Sequence, residues 1–226
     1  MPRLPDSDTR RSIIGVGSSF TVSNLAENGL YLGSRYAILW FGSPEFLSQF
    51  SFAVDLAQRS VGVVINIATF ALVPRAYRGS AKSGEKDAEF RPILMRGVVV
   101  SVSISVLIMA MVLLIDAAGV MDRYVNGPFS VVAFYSVSIA IVLNRVKKLA
   151  LDPVAVVTKK QWAIPMAYAV ISPPALGVSL LVCFLGEESM MLIIYPLAYL
   201  GITVLTAAAL KRRKGAQHDM QDGPTP

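Results

Sequence analysis

Residues 98–115 read VVVSVSISVLIMAMVLLI, eighteen positions without one charged side chain. At about 1.5 Å of rise per residue, a helix needs roughly 20 predominantly apolar residues to cross the ~30 Å hydrocarbon core of a bilayer. With its flanks, this run satisfies that length. Such a stretch in water would expose apolar surface on every side of the helix, so it predicts a membrane span. The whole chain follows suit. Of its 226 residues, 54% are hydrophobic and 16% charged, against about 25% charged in ordinary soluble domains, and the mean hydropathy is +0.57.

Working outward, five more stretches qualify, giving an all-α polytopic membrane protein with six transmembrane helices. They run over about 13–41, 46–73, 93–114, 128–149, 164–185 and 190–210. The domain reading is a cytoplasmic segment over 1–12, a six-helix lobe over 13–210 and a disordered cytoplasmic tail over 211–226. The tail is polar and rich in Gly and Pro. No cleavable signal peptide is evident, and Arg10-Arg11 reads as a flank of the first helix rather than a twin-arginine signal.

Charge segregates between the links. Arg3, Arg10 and Arg11 precede the first helix, and Arg75, Arg78, Lys82, Lys86, Arg91 and Arg96 lie around the link between the second and third. Arg145, Lys147, Lys148, Lys159 and Lys160 lie around the link between the fourth and fifth, and Lys211, Arg212, Arg213 and Lys214 follow the sixth. These are eighteen of 21 basic residues, while the alternate links (42–45, 116–127, 186–188) hold only Arg123. Lys and Arg are retained on the cytoplasmic side during insertion. Both termini are therefore expected inside, in the inner membrane. The clustering also argues against a nucleic-acid-binding face.

Other chemistries find little support. A single cysteine, Cys183, excludes an intrachain disulfide, and one histidine, His218, cannot build a typical zinc cluster. No nucleophile–base pairing or metal–phosphate motif stands out, so the sequence argues against an enzyme and implies no cofactor and no metal. The informative residues are polar groups inside the first two spans. On helix one, Asn24, Asn28, Tyr31 and Arg35 fall within about 60° of one another, with Glu27 at one edge. On helix two, Ser48, Ser51, Asp55, Arg59 and Asn66 share a narrow face, and Asp55 and Arg59 are spaced to pair along it. That leaves Glu27 and Arg35 to pair across helices or to meet a ligand. An intramembrane charge costs at least about 2.5–3.5 kcal/mol, and it marks a functional site by default. Arg35 and Arg59 suit a phosphate, and Glu27 or Asp55 could serve as coupling or charge partner. Pro173, Pro174 and Pro196 predict kinks in helices five and six. Ser101, Ser103 and Ser105 are read as packing contacts.

The stretch GLYLGSRYAILWFGSPEFLSQFSFAVDLAQRSVGVVINIATFALVPRAY, residues 29–77, resembles the polysaccharide-flippase branch of the multidrug/oligosaccharidyl-lipid/polysaccharide exporter superfamily. The resemblance rests on an arginine in the outer half of one helix, a short turn, then Y-x-x-A-x-x-L-x-x-R-like spacing ending in proline and arginine. Arg35, Arg59, Pro74 and Arg75 occupy those places, and Ser34 stands where the family often has an acid. Family members have twelve to fourteen helices in two lobes, so this chain looks like one lobe, most like the second. It could be part of a longer chain, a homodimeric half-transporter or a remnant. The resemblance implies transport of a lipid-linked oligosaccharide by alternating access. Arg35, Arg59, Asn24 and Asn28 would bind substrate, and Glu27 and Asp55 would be charge partners. The implied partners are membrane lipid, the lipid-linked glycan and a second six-helix lobe. The competing expectations are a drug/cation antiporter of the same superfamily and a non-transporting scaffold of a glycan-synthesis complex.

Overall fold

The computed structural model describes residues 7–83, 90–120 and 130–211. Among these, 93% are helical and none is in a strand. The expected N-terminal segment up to residue 6, residues 84–89 of the link between the second and third expected spans, most of the 116–127 link and the tail from 212 onward lie outside the described residues.

Helix α1 spans Ser7–Phe41. It stops at Gly42, after which Ser43 caps the next helix, its Oγ accepting from Phe46 N at 3.1 Å. Pro44 follows at the first helical position, where a missing N–H is harmless. Helix α2 covers Pro44–Ala57, a π-turn covers Gln58–Gly62, and α3 covers Val63–Ser83, forming one continuous rod. Helix α4 is Phe90–Ala117, α5 is Val131–Val157, α6 is Ala163–Phe184 and α7 is Met191–Lys211. Helix α5 begins at a Ser130 cap, Oγ accepting from Ala133 N at 3.2 Å. Its other end closes through Lys159 in the left-handed region (φ 56°), with Lys160 N donating to Ala155 O at 2.7 Å. Gly186 (φ 79°) ends α6 in the same way, Glu187 N donating to Val182 O. These bonds satisfy carbonyls the helix leaves open.

Four rods are long and apolar enough to cross a membrane: Pro44–Arg78, Phe90–Ala117, Ala163–Phe184 and Glu188–Lys211. That is the composition of a membrane protein. The expected first and fourth spans, α1 and α5, are long enough but fall short in composition. One carries Asn24, Glu27, Asn28 and Arg35, the other Arg145, Lys147, Lys148 and Asp152.

Packing explains how α5 holds its charges. Helix α1 lies along α6, α6 along α7, and α7 along α5, while α2, α3 and α4 complete the circle around α5. Phe50, Phe134, Ile164, Tyr168 and Ile202 lie at the centre of the main core. Val61, Ile65, Phe90, Leu94 and Leu149 form a second cluster where α3, α4 and α5 meet. Buried residues occur along the full length of α5. Close approach elsewhere demands glycine: a Cβ on Gly97 would stand 2.3 Å from Leu72 Cδ1. Several hydroxyls within the rods bond back to their own helix, as Ser34 Oγ does to Leu30 O and Thr206 Oγ1 to Ile202 O, both at 2.8 Å. A polar group so satisfied can sit inside a span. Ser101 and Ser105 are buried packing positions, whereas Ser103 is exposed.

One expectation changes. The fourth helix does not end near Leu149 but runs two turns further, through Pro153, to Val157. Arg145, Lys147 and Lys148 therefore lie well inside the helix rather than in its last turn. Pro173, Pro174 and Pro196 lie within α6 and α7, inside the expected bounds.

Candidate functional site

The polar centre of the molecule is built by α1, α5 and α6. Glu27 on α1 reaches to α5, where its Oε1 accepts from Asn144 Nδ2 at 2.7 Å and its Oε2 stands 2.6 Å from Lys148 Nζ. Asn144 is buried and uses its other end as well, Oδ1 accepting from the Tyr168 hydroxyl of α6 at 2.9 Å. One turn away, Lys147 Nζ lies 3.0 and 3.3 Å from the two carboxylate oxygens of Asp152. The Tyr168 ring centroid is 5.2 Å from that ammonium. The Lys147 and Asp152 side chains are 1% and 7% exposed, those of Lys148 and Glu27 24% and 16%. The first pair is sealed; the second keeps part of its side-chain surface exposed, although Glu27 Oε2 itself is buried. Helices α5 and α6 make little direct contact with each other, so long polar side chains span the space between them. The cluster fixes three helices at once and places charge where ion pairing is strong and solvent screening weak.

The residues expected to bind substrate fall elsewhere. Asn24 and Asn28 are exposed on α1. Arg35 is half-buried and donates from Nη1 to the Tyr31 hydroxyl at 2.7 Å, its guanidinium 5.5 Å from that ring's centroid. Asp55 and Arg59 are both exposed and form no ion pair with each other. Arg59 lies in the π-turn, which inserts one extra residue per turn and shifts the angular phase of everything beyond it. The single face expected for Ser48 through Asn66 is therefore interrupted at residue 58. Glu27 pairs across helices, with Lys148 and Asn144 of α5. The structure thus joins Glu27 to Lys148, Asn144 and Tyr168, and leaves Asn24, Asn28, Asp55 and Arg59 open on the surface of the rods.

Sequence reasoning missed Asn144, Lys147, Lys148, Asp152 and Tyr168. Basic residues near an expected helix end read as topology signals. The clue available was Asn144 within the apolar run, in helical phase with Lys148.

Two further features bear on the site. At the 42–43 turn, Glu188 accepts from Ser43 N at 2.5 Å and from Ser43 Oγ at 2.6 Å, clipping the α1–α2 turn to the α6–α7 turn. A Cβ on Gly42 would meet Glu188 Oε2 at 2.6 Å, so glycine admits the clip. Between α4, α5 and α7 lies an open apolar crevice of about 580 Å³, lined by Leu113, Val132, Tyr135, Ile139, Pro196 and Leu197. The Tyr135 and Ser136 hydroxyls turn away to Met109 O and Leu192 O, which leaves a wall suited to hydrocarbon.

Among the described residues no group of three or more His, Cys, Asp and Glu side chains could hold a metal ion. Compared with protein-family models, characterised proteins and solved structures, the chain finds no match.

Proposed function

We propose that the chain is one lobe of a membrane transporter that moves a lipid-linked oligosaccharide or polysaccharide precursor across the inner membrane by alternating access. In this reading all six rods span the bilayer, both termini are cytoplasmic, and the partner is a second six-helix lobe. The observation that carries it is the exposure of Asp55 and Arg59 on a rod apolar enough to cross a membrane, without an ion pair between them. Lipid cannot solvate a carboxylate and a guanidinium at that depth, so they belong beside water, ligand or another protein. Asn24 and Asn28 are likewise exposed, on α1. A guanidinium offers a planar fork of donors to a phosphate, and the apolar crevice suits a lipid chain. The resemblance over residues 29–77 supplies the substrate class.

The test is glycan export in cells carrying Arg35→Ala or Arg59→Ala. Loss of export with normal membrane insertion is expected; undiminished export in both variants refutes the assignment. The pairing of Glu27 with Asn144 and Lys148 favours a second reading, a non-transporting scaffold in which the cluster only fixes helix packing. In that case charge-removing variants in α1 and α2 would alter assembly of a glycan-synthesis complex and leave transport of the lipid-linked precursor untouched. A drug/cation antiporter would instead depend on Asp55 or Glu27 more than on the arginines.

A further inference from the structure

We infer that Lys148 and Arg145 form an anion subsite on α5 for a phosphate-bearing ligand, and that Glu27 is the resident counter-ion this ligand displaces. The charge balance points to it. The cluster's Lys147 and Lys148, with Arg145 one turn before Lys148 on α5, set three cations against two carboxylates, Glu27 and Asp152. Lys147 takes Asp152 and Lys148 takes Glu27. Arg145 is half-buried and has no carboxylate partner among the described residues. It is the fifteenth residue of a 27-residue helix, about 21 Å from the start at 1.5 Å per residue, so it does not sit at a frayed end. A cluster built for packing alone would balance its charges, because an excess cation away from water is costly. Residues three apart on a helix are neighbours, which places Arg145 beside Lys148.

Accessibility distinguishes the two pairs. Lys147–Asp152 is sealed, whereas Lys148–Glu27 keeps 24% and 16% of its side-chain surface. Glu27 adjoins Asn28, which is exposed on α1. A phosphate oxygen arriving along α1 meets the exposed part of the Lys148 side chain, while the contact oxygen, Glu27 Oε2, is itself buried. Displacement also frees the Asn144 amide donor, which Glu27 occupies at 2.7 Å, for the incoming anion. Ligand entry would thereby unfasten α1 from α5, linking occupancy to helix position. This inference rests on the transporter reading for the identity of the ligand, but the site itself can be tested without transport.

The experiment titrates inorganic pyrophosphate into detergent-purified protein by calorimetry, with sulfate and chloride at matched ionic strength as controls. The variants are Glu27→Gln, Lys148→Gln, Arg145→Gln and the neutral pair Glu27→Gln/Lys148→Gln, which keeps hydrogen-bonding capacity where single variants fail to fold. Removing the resident carboxylate is expected to tighten pyrophosphate binding at least about tenfold over wild type. Lys148→Gln and Arg145→Gln are each expected to weaken it by about tenfold, and the neutral pair is expected to bind about as tightly as wild type, the two effects offsetting. Binding by Glu27→Gln no tighter than wild type, or by Lys148→Gln and Arg145→Gln as tight as wild type, overturns the subsite. Pyrophosphate binding with intact glycan export in Arg35→Ala and Arg59→Ala would retain the subsite and remove the two arginines from the transport route. Loss of export without pyrophosphate binding would do the reverse.

Discussion

Neutralising Asp152 provides the sharpest test of the buried cluster. Asp152→Asn keeps the shape of the side chain and removes its charge. Lys147 would then hold an ammonium in a side chain 1% exposed, with no second carboxylate assigned to it. The Tyr168 ring, 5.2 Å from Nζ, still offers a cation–π contact, worth up to about 2 kcal/mol when desolvated. That contact exists in both proteins, so it does not offset the loss. Breaking a buried pair from one side costs about 3–5 kcal/mol, because the surviving charge stays buried and uncompensated. Replacing both members by apolar residues of similar volume, Lys147→Met with Asp152→Leu, is expected to leave stability within about 1–2 kcal/mol of wild type. The double-mutant cycle should therefore be strongly non-additive. Reversible unfolding in mixed micelles with increasing dodecyl sulfate, followed by circular dichroism, measures all four proteins. If Asp152→Asn lies within about 1 kcal/mol of wild type, or the double variant is as unstable as the single one, the assignment of a sealed ion pair is wrong.

Other outcomes follow from individual contacts. Gly97→Ala should destabilise by about 1–3 kcal/mol, because the new methyl must displace Leu72. Leu72→Ala in the same protein should recover part of that loss in the same unfolding assay. Ser43→Ala removes the hydroxyl from the Glu188 clip and from the α2 cap together, so amide exchange over residues 42–47 should quicken. Glu188→Gln should quicken it less, since an amide oxygen still accepts one bond.

Much of the helix layout was legible because apolar length is a local property. The run at 98–115 becomes the middle of α4, and the ends of α1 and α6 fall at Gly42 and Gly186, where glycine relieves steric demand. The polar centre was only half legible. Glu27 was marked by its place in an apolar run, but its partners were hidden in a helix whose end was misplaced. Asp152-Pro153 looks like a terminator, yet α5 continues because the surrounding helices hold its last two turns. The π-turn at 58–62 has no sequence signature of its own. It forms where Val61 and Gly62 are buried, a Cβ on Gly62 lying 3.6 Å from Ile141 Cγ2 of α5. That is a property of the neighbouring helix, not of the local residues. Asp55 and Arg59 were correctly spaced for pairing in a regular helix, and the turn between them removes the regularity.

The two rods too polar to qualify alone, α1 and α5, are the two that Glu27 ties together across 117 residues. At roughly 5–20 residues per second of synthesis, the carboxylate waits about 6–23 seconds after leaving the ribosome before Asn144 exists. In the six-span reading, the nascent chain presents an unpaired acid to the insertion machinery during that interval. Slowing translation between the two helices lengthens that exposure and is expected to lower yield.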